Sequence, residues 1–261
     1  MCFIYLHSNI LSSHTSLSPG IFMLFLLLAL LLGMAKAGLS GLGLAVVPVM
    51  ALIFGAKEST GVILPMLITA DIMAVIYYRQ HAVWNHIFRI LPWVATGIII
   101  ALIIGNRIDN NQFRIVMLAV VWIMLILMVV NDLWKKESDE IPHNMFFGSL
   151  MGLAGGFATM IGNSAGPVFT LYFLGMRLTK KEFIGTGAWL YLIMNTGKLP
   201  LQVIVWKNIT LTSLIPGLIA IPFIALGIFL GIRIVNLFSE KVYRIFVIVT
   251  TIGSSLLLLL W

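Results

Sequence analysis

Residues 33–48 read GMAKAGLSGLGLAVVP, and residues 152–167 repeat the pattern as GLAGGFATMIGNSAGP. Each stretch places several glycines and a final proline inside a run that is otherwise apolar. Glycine-rich, irregular backbone at membrane depth is tolerated only where it is buried in protein or lines a cavity. Both breaks are therefore candidate ligand sites.

The whole chain has the composition of an integral membrane protein. Of its 261 residues 61% are hydrophobic and 10% are charged, and the mean hydropathy is +1.08. Soluble domains carry roughly 25% charged residues. At about 20 residues per span, the chain has room for about eight to ten membrane segments and for no soluble domain. Its single cysteine, Cys2, supports neither a disulfide framework nor a metal site.

Apolar runs bounded by glycine, proline or charged residues predict the membrane segments. The runs at 42–55, 144–157 and 164–176 hold about 12 to 14 residues, which is near 20 Å of helix. The hydrocarbon core of a bilayer is about 30 Å thick. Together with the borderline run at 21–37 they form two pairs, and each pair meets at a glycine break, either as crossings or as hairpins that enter and return. The other runs cover residues 21–37, 60–78, 87–105, 113–133, 183–205, 210–231 and 242–261.

Internal similarity divides the chain into two related halves. A shift of 119 superposes Gly33 on Gly152, and a shift of 124 matches Lys57 to Lys181. We therefore predict an all-α integral membrane protein with two inverted repeats, each a broken helix pair or hairpin plus three spanning helices, with about 8–10 membrane segments in all. The predicted divisions are a disordered N-terminal extension, a first membrane repeat, a cytoplasmic linker and a second membrane repeat, at residues 1–20, 21–133, 134–143 and 144–261.

The loop charges predict the orientation in the membrane. Each half holds an odd number of crossings whether or not the short segments span, so the halves are inverted. Loops on the side of the N-terminus carry four basic residues, and loops on the opposite side carry ten. Cytoplasmic loops are enriched in Lys and Arg, so both termini are predicted to be non-cytoplasmic, in a multi-pass protein of the cell (inner) membrane. The four are Lys57, Arg107, Arg114 and Lys207, and the ten are Arg79, Arg89, Lys135, Lys136, Arg177, Lys180, Lys181, Arg233, Lys241 and Arg244.

Three ionisable residues fall well inside predicted membrane segments, namely Lys36, Asp71 and Lys198. Each such residue costs roughly 2.5 to 3.5 kcal/mol on insertion and is a functional hypothesis by default. The two lysines against one carboxylate leave a positive site for a small anion. Asp71 is open to three readings: a partner that tunes a lysine, a proton carrier when it is desolvated, or half of a purely structural ion pair. Lys36 also has a structural alternative, because a lysine at a helix end can extend to the interface.

Neutral groups beside these charges complete the predicted substrate site. Gly41 and Gly43 leave backbone exposed in the first break, and Asn163 and Ser164 supply hydrogen bonds in the second. Asn195 aligns with Asp71 under the shift of 124 and lies one helical turn before Lys198, on the same face. Small polar residues at such positions also serve in helix packing.

The chain resembles the TauE/SafE family of sulfite and organosulfonate exporters, also described as the domain of unknown function 81 family. The resemblance runs from about residue 20 to 261 and is carried by AKAGLSGLGLAVVP, MGLAGGFATMIGNSAGP and GTGAWLYLIMNTGKLPLQ, and by the two GxRI turns. It implies a membrane permease for small sulfur-containing anions. By motif position it points to Lys36, Asn163, Asn195 and Lys198.

Inverted repeats with short, glycine- or proline-interrupted segments are typical of secondary transporters, whose substrate site lies near the midplane. The sequence therefore predicts a transporter, most simply an exporter, of a small anion by alternating access, with the lipid bilayer as its surroundings and proton coupling as an open possibility. An anion channel and a non-transporting scaffold are the alternatives. The formal charge of +7 lies in short loops, so nucleic acid is not an expected partner.

An enzyme is the alternative from a different class. Gly162, Ser164 and Gly166 fit G-x-S-x-G, but that motif needs a strand-to-helix turn with an acid and a histidine following in the chain. All the histidines precede Ser164. A membrane-embedded hydrolase using Ser164 is thus the weaker interpretation, and no catalytic residue, metal site or cofactor is predicted.

Overall fold

The computed structural model describes residues 18–39, 41–113 and 145–239, together with single positions at 115–123 and 242–249. All regular structure in these residues is helical. Eight helices are described along their whole length, and a further helical stretch begins at Asn110. They are α1 Pro19–Lys36, α2 Gly41–Phe54, α3 Ala56–Tyr78, α4 Trp84–Gly105, α5 Met145–Gly162, α6 Gly166–Gly175, α7 Lys180–Leu201 and α8 Leu211–Leu237.

The helices have the lengths and surfaces of an integral membrane protein. Four of them, α1, α3, α4 and α8, are long and apolar enough to cross a bilayer. Large apolar side chains such as Phe88, Ile99 and Leu218 are exposed on α4 and α8, as lipid-facing residues are. In contrast, α2 has 14 residues and α6 has 10, about 21 Å and 15 Å of helix. Neither reaches across a core of about 30 Å.

Local sequence explains where the helices of the second half begin and end. Thr179 and Glu182 form a reciprocal capping box at the start of α7, and Thr210 and Ser213 do the same for α8. Pro200, which has no backbone N–H, lies in the last turn of α7, and a π-helical turn follows at Gln202–Trp206. The α-helical part of α7 therefore ends at Leu201, within one turn of Lys198.

Close helix packing relates the two halves by a pseudo-two-fold axis. In one pair, Gly33 of α1 lies against the backbone of Ile224 in α8, and Gly227 of α8 lies against Leu30. The other pair repeats this arrangement: Gly156 of α5 lies against Val94 in α4, and Gly97 of α4 lies against Leu153. Small residues allow such backbone contact in membrane helices. Exchanging the halves converts one helix pair into the other.

The direction of α3 and α7 makes these repeats inverted. The two helices are equivalent in the halves, and they pack together with Asn195 against Asp71 and Gly185 against the backbone of Tyr78 and His81. The contact partner on α3 has a lower number for Asn195 than for Gly185, although Asn195 comes later on α7. The two helices are therefore antiparallel. The pseudo-two-fold axis is thus perpendicular to them, and Asp71 and Asn195, matched by the shift of 124, meet across it.

The structure corrects two details of the sequence interpretation. The run at 144–157 continues to Gly162 as an 18-residue helix, because Gly155 and Gly156 serve close packing and do not end it. The packing also makes Gly33 equivalent to Gly156, a shift of 123. The glycine pattern of the sequence instead matched Gly33 to Gly152, a shift of 119. The predicted linker at 134–143, almost all of the extension at 1–20, and most of the runs at 113–133 and 242–261 lie outside the described residues.

Candidate functional site

A cavity lies between the two glycine breaks, at the centre of the described helices. The space between its lining residues is about 630 Å³ when the solvent at its mouth is counted. Its wall combines apolar side chains of α1, α2 and α3 with polar groups from both halves. The polar residues along it are Lys36, Thr159, Asn163, Ser164, Tyr191 and Asn195, and the glycines are Gly43 and Gly166.

An ion pair joins α1 to α3 at the edge of the cavity. The Lys36 Nζ lies 2.7 Å from Asp71 Oδ1, and Asn195 Nδ2 donates a hydrogen bond of 2.6 Å to Asp71 Oδ2. Asp71 is fully buried, whereas the Lys36 side chain keeps 12% of its surface exposed. Asn195 Oδ1 is buried and has no hydrogen-bond partner among the described residues. The ammonium is therefore the charge that the cavity presents.

A second lysine lies behind the wall. Lys198 is fully buried, and its Nζ donates to the Thr159 carbonyl at 2.9 Å, to Thr159 Oγ1 at 2.9 Å and to Asn163 Oδ1 at 2.7 Å. Three neutral acceptors satisfy the three donors of an ammonium. Lys198 thus joins α7 to the second break and fixes the side chain of Asn163 at the cavity surface.

The break between α5 and α6 places the N-terminus of α6 beside these side chains. Asn163 has a φ of 52°, a left-handed conformation that asparagine adopts more readily than most residues. Its Nδ2 reaches the Thr60 carbonyl at 3.4 Å. Gly166 opens α6 with open space at the position of its missing Cβ. The first N–H groups of a helix have no partner within it and attract negative charge.

The sequence profile of the family described as "Sulfite exporter TauE/SafE" matches residues 25–258, nearly the whole chain. The chain belongs to the TauE/SafE family. It is therefore a membrane protein of a transporter family. Neither the curated proteins nor the solved structures compared with the chain give a match.

The geometry distributes the predicted site residues of this TauE/SafE protein over two layers. Lys36, Gly43, Asn163, Ser164 and Asn195 line the cavity. Asp71 and Lys198 contact lining residues from behind, and Gly41 is the first residue of α2.

Sequence reasoning missed Tyr191, a polar lining residue of this TauE/SafE protein. Tyr191 lines the cavity, and its ring centroid is 4.1 Å from Lys36 Nζ. Its position four residues before Asn195 put it on the same helix face, which is the signal that could have identified it. The shift of 123 also pairs Lys36 with Thr159. Each therefore links the first helix of its half to the third, Lys36 through Asp71 and Thr159 through Lys198.

The G-x-S-x-G motif has a different setting in this TauE/SafE protein. Ser164 lies between two helices, α5 and α6. A nucleophile elbow instead lies between a strand and a helix. Its hydroxyl donates to the Ala158 carbonyl at 3.3 Å. Among the described residues, no group of three or more His, Cys, Asp or Glu residues is arranged to hold a metal ion.

Proposed function

We propose that this protein is a secondary transporter that exports a small, sulfur-containing anion, such as sulfite or an organosulfonate, by alternating access between its two inverted halves. The observation that carries the proposal is the Lys36 ammonium on the wall of a central cavity. Membership of the sulfite exporter family supports the substrate class. The inverted repeats support the mechanism, because transporters of this architecture bind substrate near the midplane between repeats.

The charge balance of the site favours an anion. Lys36 and Lys198 are opposed by the single carboxylate of Asp71, and Lys198 is held by neutral oxygens of Thr159 and Asn163. Burying two cations against one anion leaves a positive site that an anion can neutralise. The N-terminus of α6 at Gly166 adds donors of the same polarity.

The ion pair suggests how binding occurs. An anion entering the cavity competes with Asp71 for the Lys36 ammonium, while Asn163 and Ser164 offer hydrogen bonds to its oxygens. When Lys36 turns to the substrate, Asp71 keeps the hydrogen bond from Asn195 and loses its nearest cation. A buried carboxylate without a counter-ion favours proton uptake. The other charged or titratable groups facing Asp71 are Lys198 and Tyr191, so proton coupling would be centred on Asp71.

Flux in proteoliposomes tests the proposal. We expect Lys36→Gln to abolish anion flux, because the amide cannot replace the charge, and Lys207→Gln, in an exposed loop, to keep it. A thermal-shift panel of sulfite, sulfate, thiosulfate, sulfoacetate and simple carboxylates identifies the anion that stabilises the purified protein. Unchanged flux in Lys36→Gln would refute the role of the site, and flux that no proton gradient drives uphill would indicate an anion channel.

A further inference from the structure

A second cavity lies next to the first, with about 380 Å³ between its lining residues when the solvent at its mouth is counted. Its wall is mostly apolar and comes from the end of α1, from α6 and from the first half of α7. The two cavities share three lining residues, Ala35, Lys36 and Tyr191. The residues found only in the second are Gly38, Thr170, Phe173, Phe183, Ile184, Gly187 and Ala188.

The two cavities lie at different depths along the same helices. On α7 the first cavity touches Tyr191 and Asn195, and the second extends back to Phe183. Asn195 comes twelve positions after Phe183, which corresponds to about 18 Å along a helix axis. On α6 the first cavity meets Gly166, and the second meets Thr170 and the residues after it. The cavities therefore extend towards opposite ends of the helices.

The shared wall lies at the middle of the protein. Tyr191 is at the centre of α7, which runs from residue 180 to 201. The centroid of the Tyr191 ring lies 4.1 Å from the Lys36 ammonium. The ring also makes a T-shaped contact with Phe169, with centroids 5.9 Å apart. A cation over an aromatic ring is held by about 0.5 to 2 kcal/mol. Tyr191 and Lys36 therefore contact each other on the wall that the two cavities share.

We propose that Tyr191 is the gate between two half-channels, and that the Lys36 ammonium keeps it closed. An anion in either cavity draws Lys36 off the ring, so substrate binding weakens the contact that holds the gate. Passage of the anion rests on the proposed transport function, whereas the shared wall itself is a property of the fold. In this proposal the aromatic ring of Tyr191, more than its hydroxyl, separates the two cavities.

One-sided thiol labelling tests the gate without any substrate. In a Cys2→Ser background, which removes the only cysteine, Val47→Cys reports on the first cavity and Ala188→Cys on the second. A membrane-impermeant thiol reagent is added to right-side-out and to inside-out vesicles. We expect each cysteine to react from one side only, and the two to react from opposite sides.

Gate variants complete the experiment. Tyr191→Phe, which keeps the ring, should preserve one-sided labelling, whereas Tyr191→Ala should raise labelling from the wrong side by at least about tenfold. Tyr191→Leu serves the same purpose if the alanine variant does not fold. Labelling of both cysteines from the same side, or an unchanged pattern without the ring, would overturn the gate. Correct labelling with no anion flux would leave the gate standing and refute transport.

Discussion

At the scale of single residues, the site depends on differences between equivalent positions. Asp71 and Asn195 occupy matching places in the two halves and touch each other, so one half contributes a carboxylate and the other an amide. Lys36 and Thr159 form the second unequal pair. A fully symmetric site would carry equal charges on both halves, whereas these two differences give it the Lys36 ammonium and the Asp71 carboxylate.

Asp71→Asn tests the competition for Lys36. The amide has the shape of the carboxylate and leaves Lys36 without its 2.7 Å partner, so we expect the anion to bind at least about tenfold more tightly. Proton-driven accumulation should be lost. Binding is measured by calorimetry and accumulation in proteoliposomes with an imposed pH gradient. Weaker anion binding in the variant would contradict the competition.

Lys198→Ala tests the buried lysine. The substitution leaves Asn163 Oδ1 without its donor, whereas the Thr159 carbonyl keeps the hydrogen bond from the Asn163 backbone N–H. A buried polar group left unsatisfied costs about 1 to 3 kcal/mol. We expect Asn163 to lose its fixed orientation and anion flux to be abolished, while the protein still folds. Size-exclusion chromatography checks the fold beside the flux assay. Unchanged flux would show that Lys198 has no part in transport.

At the scale of helices, the sequence predicted the class of structure and most of the boundaries. Short apolar runs identified α2 and α6 as helices shorter than a bilayer core, and they left open whether these segments cross or return. The end of α5 was missed, since a glycine pair reads as a break unless the backbone of Val94 is known to lie against it. For a similar reason, the burial of Lys198 behind Asn163 and the role of Tyr191 depend on contacts between distant helices, which periodicity does not contain.

Gly33→Ala tests the packing that holds the halves together. A methyl group at Gly33 would meet the carbonyl of Ile224 in α8, and neither backbone can move without its helix. Overpacking of this kind costs about 1 to 3 kcal/mol, so the melting temperature in detergent should fall by several degrees. Gly20→Ala, on the same helix and facing open space, is the matched control. Equal melting temperatures for the two variants would contradict close contact of α1 with α8.

At the scale of the whole molecule, the antiparallel helices α3 and α7 show which loop charges lie at the same end of the helix pair. The end of α3 at Arg79 lies beside the start of α7, where Gly185 packs on His81. At the other end, Asn208 Nδ2 donates to the Lys57 carbonyl at 3.0 Å. The basic residues next to the ends of α3 and α7 therefore form two groups, one at each end of this helix pair. One group is Arg79, Arg177, Lys180 and Lys181, and the other is Lys57 and Lys207.

The larger group predicts which cavity faces the cytoplasm. Cytoplasmic ends are rich in Lys and Arg, so the start of α7, and with it the second cavity, should lie on the cytoplasmic side. In the Cys2→Ser background, an impermeant thiol reagent on right-side-out vesicles should then label Lys207→Cys and leave Lys181→Cys, both exposed positions, unmodified. The reverse pattern would place the first cavity, with Asn163 and Ser164, on the cytoplasmic side. In that reverse orientation, an exporter would receive its substrate through the first cavity and release it through the second.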